Sequence, residues 1–170
     1  MALNPFFLGR LIAIGGNEDK ANELVVLNRV VQEIGNTDYK VGVITTASET
    51  PEQRGKEYQA VFKKLGASTI EVLNITQRTQ ANDKKWVKML ENVDLIFITG
   101  GDQLRLTTIL GGSKVLAAVQ TRLEEGALIA GTSAGATVFS DTMIYEGKSG
   151  YPLKAGYSQG FFCGQLIFSP

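Results

Sequence analysis

Gly131-Thr132-Ser133-Ala134-Gly135-Ala136 lies between an apolar run, residues 127–130, and a segment that permits a helix from Ala134 onward. A strand that turns sharply into a helix through Gly-x-Ser-x-Gly lifts the serine hydroxyl out of the backbone and aims it above the sheet. Ser133 is therefore the candidate nucleophile. Gly131 and Gly135 suit such a turn, because a strained bend followed by close strand-to-helix packing leaves little room for a Cβ on either side of the serine. The Ala134 amide, at the start of the helix, is placed to stabilise an oxyanion. Ordinary tight turns carry the same pattern, so the rest of the chain has to decide between catalysis and simple turn-making.

Upstream, short apolar runs alternate with helical periods. Residues 11–14 form a run that ends in Gly15-Gly16, and residues 41–45 form another that opens into Thr46-Ala47-Ser48. Residues 68–75 read as a third strand, interrupted by Glu71 and Asn74, and residues 95–98 as a fourth that closes in Gly100-Gly101-Asp102-Gln103. Between them, Leu24, Leu27, Val31 and Ile34 share one helical face with Gly35 as a stop, and Pro51 starts a helix carrying Tyr58, Val61, Phe62 and Leu65. Trp86, Met89, Leu90 and Val93 form a core stripe, with the lone Trp serving packing. Two short helices, 104–110 and 115–123, are split by Gly111-Gly112. Met143-Ile144-Tyr145 is one more strand candidate, after which Gly147, Gly150, Gly156, Gly160 and Gly164 make the chain loop-rich until residues 165–168.

This alternation marks a parallel sheet covered on both faces. The expected fold is a three-layer α/β domain of flavodoxin-like or Rossmann-like type, a single domain spanning residues 1–170. In such sheets ligands sit beyond the carboxyl ends of the strands. The loops at Gly15-Gly16, 45–48, 100–103 and 131–135 all leave such ends, and their convergence on one rim favours catalysis at Ser133.

Composition narrows the function. With 44% hydrophobic residues, 20% charged residues and zero net charge, the chain reads as a soluble globular protein without the basic excess that nucleic-acid phosphates favour. A single cysteine, Cys163, excludes an internal disulfide and a multi-cysteine metal site, which points to an intracellular, cytoplasmic setting. Arg10 splits the apolar N-terminus, which reads poorly as a signal peptide, and no run reaches membrane-spanning length. Histidine is absent.

Three separated motifs, Gly15-Gly16-Asn17-Glu18-Asp19-Lys20, Gly100-Gly101-Asp102-Gln103 and Gly131-Thr132-Ser133-Ala134-Gly135-Ala136, resemble in order and placement those of the cyanophycinases. This serine peptidase group also includes aspartyl dipeptidases and has a class I glutamine amidotransferase-like fold. The resemblance covers residues 11 to about 164 and weakens after Ile144. It implies an exopeptidase that cuts cyanophycin, a β-linked aspartyl polymer, into β-aspartyl-arginine dipeptides, with no metal or organic cofactor and a homodimeric assembly.

Carried onto matching positions, the resemblance makes Ser133 the nucleophile, the amides of Ala134 and Gly101 the oxyanion hole, and Gln103, Asp102 and Thr132 substrate-binding residues. Glu18 reads as a carboxylate near a helix start, and Asp19 and Lys20 as a loop cap or pair. The resemblance also implies a histidine base following a strand like residues 165–168, and an orienting acid near residues 147–153. Neither is present; Asp141 and Glu146 lie earlier. The expectation is a C-terminally truncated or degenerate member. The alternatives are an inactive β-aspartyl-peptide-binding or regulatory paralogue, and an amidase using a base such as Lys154.

Overall fold

Side chains in a strand point alternately to opposite faces, and this alternation divides the interior into two halves. The computed structural model describes residues 9–140, 142–146 and 156–161. In it, five apolar runs become parallel strands: β1 (Arg10–Ile14), β2 (Lys40–Ile44), β3 (Thr69–Leu73), β4 (Leu95–Ile98) and β5 (Leu128–Thr132). Their order across the sheet is β1-β5-β4-β2-β3. The connecting helices are α1 (Val25–Gln32), α2 (Pro51–Lys64), α3 (Lys84–Leu90), α4 (Gln103–Leu110), α5 (Lys114–Glu124) and the single turn α6 (Ala134–Thr137).

Leu95 and Phe97 of β4 join Val41, Val43 and Leu128 in a core shared with Leu27 and Val30 of α1 and Tyr58, Val61 and Phe62 of α2. Ile96 and Ile98 face the other way and join Ile129 in a core with Leu90 of α3, Leu106 of α4 and Val115, Val119 and Leu123 of α5. The result is the expected helix-sheet-helix sandwich. Tyr58 and Phe62 meet Phe97 with ring centroids 4.8 and 5.3 Å apart, which holds α2 over the centre of the sheet.

The helical face expected near Leu24 is rotated slightly. Leu24 is buried but precedes α1 in a left-handed conformation (φ 53°), and Val30 is buried where Val31 and Ile34 are only partly covered. The downstream region needs a larger correction. Residues 156–159, read as loop from Gly156 and the neighbouring Gly160, form strand β7 (Gly156–Gln159), paired antiparallel with β6 (Thr142–Glu146). Gly156 sits opposite Glu146 beside a register shift, so this glycine marks an irregularity within a ladder, not the absence of one. The strand expected at 165–168, together with Asp141, Lys154 and Cys163, lies outside the described residues. Among the described residues no helix is long and apolar enough to cross a membrane.

Candidate active site

Consecutive strands of a parallel sheet leave their loops at one rim. Here α2 follows β2 on one face while α4 and α5 follow β4 on the other, so the chain parts at the carboxyl ends of these adjacent strands and opens a crevice. A cleft of about 650 Å³ occupies this rim. It is lined from β1 by Asn17, Glu18 and Lys20, from β2 and α2 by Ser48, Glu49, Thr50, Arg54 and Tyr58, from β4 by Gly100, Gly101 and Asp102, and from β5 by Thr132 and Ser133. The four loops expected to converge do so.

Ser133 is exposed and stands at φ 52°, ψ −114°, between β5 and α6. The β1–β5 ladder continues into it, since its N–H donates to the Ile14 carbonyl at 2.9 Å. Beyond it the chain is turned by the N–H groups of Ala136 and Thr137, which both donate to the Ser133 carbonyl at 2.9 Å. The bend closes this tightly only because a Cβ on Gly131 would lie 2.2 Å from the Gly135 carbonyl oxygen, and one on Gly135 would lie 2.2 Å from that of Ile98. The serine is walled by glycines as well: a Cβ on Gly16 or Gly100 would approach the Ser133 Cβ to 3.1 or 3.2 Å. Ala134 is the first residue of α6, so its N–H has no intrahelical acceptor. Gly101 packs against the β2 loop, where a Cβ would meet the Ala47 carbonyl oxygen at 2.1 Å, and the next amide, Asp102 N–H, donates to that oxygen at 2.9 Å.

The other expected site residues separate. Asp102 lines the cleft, and its carboxylate caps α4 by accepting from the Arg105 N–H at 2.9 Å. Gln103 opens α4 and is not among the residues lining the cleft. Thr132 lines the cleft, but its hydroxyl is committed: it donates to Glu18 Oε2 at 2.6 Å.

Glu18 is not the helix-start carboxylate suggested by its neighbours in sequence. Its side chain is 1% exposed and also accepts from the Tyr58 hydroxyl, while Lys20 Nζ lies 3.4 Å from Oε1. Burial pushes its carboxyl up, but the donors from Thr132 and Tyr58 and the Lys20 charge outweigh this and hold it below the usual carboxylate range. Burial and the same carboxylate push the Tyr58 phenol well above its ordinary value. Asp19 is the true cap of this loop: it accepts from the N–H groups of Ala21, Asn22, Glu23 and Leu24, which keeps its carboxyl well below the ordinary range.

A parallel three-layer sheet with a serine exposed on a strained strand-to-helix bend, facing glycine-lined loops at the carboxyl rim, is the arrangement of an α/β scaffold of the nucleophile-elbow type. The chain belongs to peptidase family S51, which it matches over residues 11–165. It is 35% identical over 149 residues to a cyanophycinase of Geminocystis herdmanii, covering 87% of this chain and 55% of that protein. A cyanophycinase of a Nostoc species is 36% identical over 141 residues, which is 82% of this chain and 47% of the relative. The chain thus spans about half the length of the curated relatives it matches. Among solved structures, a peptidase from an acI-B1 actinobacterium superposes with a TM-score of 0.71 at 21% identity, over 92% of this chain and 65% of that one, and shares the fold.

Proposed function

We propose that this chain carries the nucleophile and oxyanion-binding part of a serine exopeptidase that hydrolyses β-linked aspartyl peptides, with cyanophycin as substrate and β-aspartyl-arginine dipeptides as products. The observation that carries this reading is Ser133: a hydroxyl-bearing residue held in a conformation that few side chains adopt, exposed where four loops meet. In the proposed reaction the Ser133 oxygen attacks the scissile carbonyl carbon as its proton passes to a base. The carbonyl oxygen takes up negative charge and accepts hydrogen bonds from the Ala134 and Gly101 amides. Collapse breaks the C–N bond, and the amine leaves with the proton held by the base. Water, deprotonated by the same base, then releases the acyl group as a carboxylate and restores the serine.

The β-aspartyl substrate class is motivated by relatives named as cyanophycinases that share about a third of their residues with this chain. Asp102 on the cleft wall and Gln103 beside it are the proposed substrate contacts. Thr132 belongs to the frame beneath the serine. The base is proposed to be a histidine oriented by a carboxylate. Because the 170 residues contain no histidine and the relatives are about twice as long, we place it outside them. A cytoplasmic homodimer completes the proposal.

A fluorophosphonate probe and a β-aspartyl-arginine polymer assay test it. Ser133→Ala in the protein carrying its base should abolish both labelling and hydrolysis while circular dichroism stays unchanged, and unchanged hydrolysis would remove Ser133 from the mechanism. The missing histidine favours one other reading, a binding or regulatory paralogue. Tight β-aspartyl-arginine binding would select it if Ser133 were labelled neither in this chain alone nor after a C-terminal segment is joined.

A further inference from the structure

Three segments far apart in sequence meet at one buried carboxylate directly behind the candidate nucleophile. Glu18 follows β1, Tyr58 belongs to α2, and Thr132 is the last residue of β5, bonded covalently to Ser133. Both carboxylate oxygens are engaged: Thr132 donates to Oε2 at 2.6 Å and Tyr58 donates to Oε1. Lys20 stands 3.4 Å from Oε1 and 5.5 Å from the centre of the Tyr58 ring, so the charge is neutralised locally. Without that neutralisation a carboxylate here would oppose any negative charge developing at Ser133.

The segment bearing Glu18 also touches the serine through its backbone. Ile14 accepts from the Ser133 N–H at 2.9 Å, and Gly16 stands so close that a Cβ there would approach the Ser133 Cβ to 3.1 Å. One wall of the serine is therefore a loop whose far end is fixed by Glu18. We propose that Glu18 is a positioning residue: by joining Thr132 to Tyr58 through its carboxylate, it holds the loop of residues 15–18 against Ser133 and fixes the direction of the serine hydroxyl. The inference rests on Ser133 being the nucleophile, but what it asserts is a mechanical link that can be read independently of catalysis.

Tyr58→Phe and Thr132→Val each remove one hydroxyl at nearly constant volume, and Tyr39→Phe is the control. Tyr39 donates to the Leu65 carbonyl at 2.8 Å beside the amino end of β2, away from the cleft, so its variant also loses a buried tyrosine hydrogen bond. Two readouts are combined: amide hydrogen exchange in residues 14–18 and 132–134, and, in the protein carrying its base, fluorophosphonate labelling of Ser133 resolved into maximal rate and half-saturating concentration. The two cleft variants should raise exchange at the Ser133 amide, and lower the maximal labelling rate, each by about tenfold, while half-saturation stays unchanged. Tyr39→Phe should do neither, even where its melting temperature falls as far. Exchange and labelling in the cleft variants no different from Tyr39→Phe would overturn the positioning role and leave the nucleophile standing. A wild-type protein whose Ser133 is labelled neither in this chain alone nor after a C-terminal segment carrying the base is joined would instead overturn the nucleophile, with exchange alone then deciding whether the Glu18 link holds the bend.

Discussion

At Ser133 the backbone holds φ 52° and ψ −114°, which glycine adopts far more readily than a residue with a Cβ. Such a conformation costs about 1–3 kcal/mol. Ser133→Gly relieves it and loses only about 0.4–1 kcal/mol to the greater freedom of the unfolded chain. This variant should therefore be more stable by about 1 kcal/mol, a rise of about 2–4 °C in melting temperature, while losing all serine labelling. Ser133→Ala keeps the Cβ and should show no such rise; calorimetry on the pair separates strain from hydroxyl chemistry. Glu18 makes a second prediction, from pH. Its folded carboxyl is depressed, so the unfolded state binds more protons below the ordinary value of 4.5; the stabilisation is complete above that value and is lost as pH falls through the folded one. Glu18→Gln should be less stable at pH 7 by about 1.5–3 kcal/mol, the worth of hydrogen bonds to a charged group, and its urea midpoint should fall less steeply below pH 4.5. The slope that remains is expected from Asp19, also depressed by its amide donors. Ser133 and its glycines were legible in the sequence because the constraint is local. Glu18 was not: its donors lie 40 and 114 residues away, and nothing in Asn17-Glu18-Asp19 distinguishes the buried carboxylate from the capping one.

Elements were legible to the extent that burial repeats along the chain. β4 is buried at every position and appears with its expected bounds, and the face of α2 carries Tyr58, Val61 and Phe62 as its period requires. β7 was missed because Gly156 at its start and Gly160 just after it suggest loop, whereas its partner β6 supplies the ladder that such a segment cannot specify by itself. Gly55 shows how packing reverses a propensity. In the middle of α2, replacing glycine with alanine would ordinarily favour the helix by about 1 kcal/mol. Here the new Cβ would lie 2.5 Å from Val72 Cγ1 on β3 and 3.3 Å from Asn74 Oδ1. Overpacking of this kind costs about 1–3 kcal/mol, so the clash outweighs the propensity. Gly55→Ala should be net destabilising in chemical denaturation, and adding Val72→Ala should recover part of the loss, because it removes the methyl in the way. Additive losses in the double variant would show that the contact is not what limits position 55.

Over the whole molecule, the described residues bring the candidate nucleophile Ser133 and the glycine-lined loops to one cleft, but they contain no group of the kind that takes the serine proton in the relatives' chemistry as the sequence resemblance implies it. Glu18 does not fill that role, since both its oxygens already accept from Thr132 and Tyr58. Lys20 is held by the Glu18 carboxylate and backbone carbonyl, with its ammonium 3.4 and 3.3 Å from them. On the proposed mechanism, catalysis divides between what the oxyanion amides contribute and what a base contributes, the latter about 10²–10⁴-fold. The 170-residue chain should accordingly release β-aspartyl-arginine from its polymer about 10²–10⁴-fold more slowly than a version extended by the C-terminal part of a cyanophycinase relative, while binding the dipeptide through the same cleft. Dipeptide release per mole of protein, measured by mass spectrometry on both forms and on their Ser133→Ala variants, checks this. Equal turnover by the short chain, abolished by Ser133→Ala, would mean that a base lies within these residues, and equal turnover that survives the substitution would mean that the reaction does not pass through the serine.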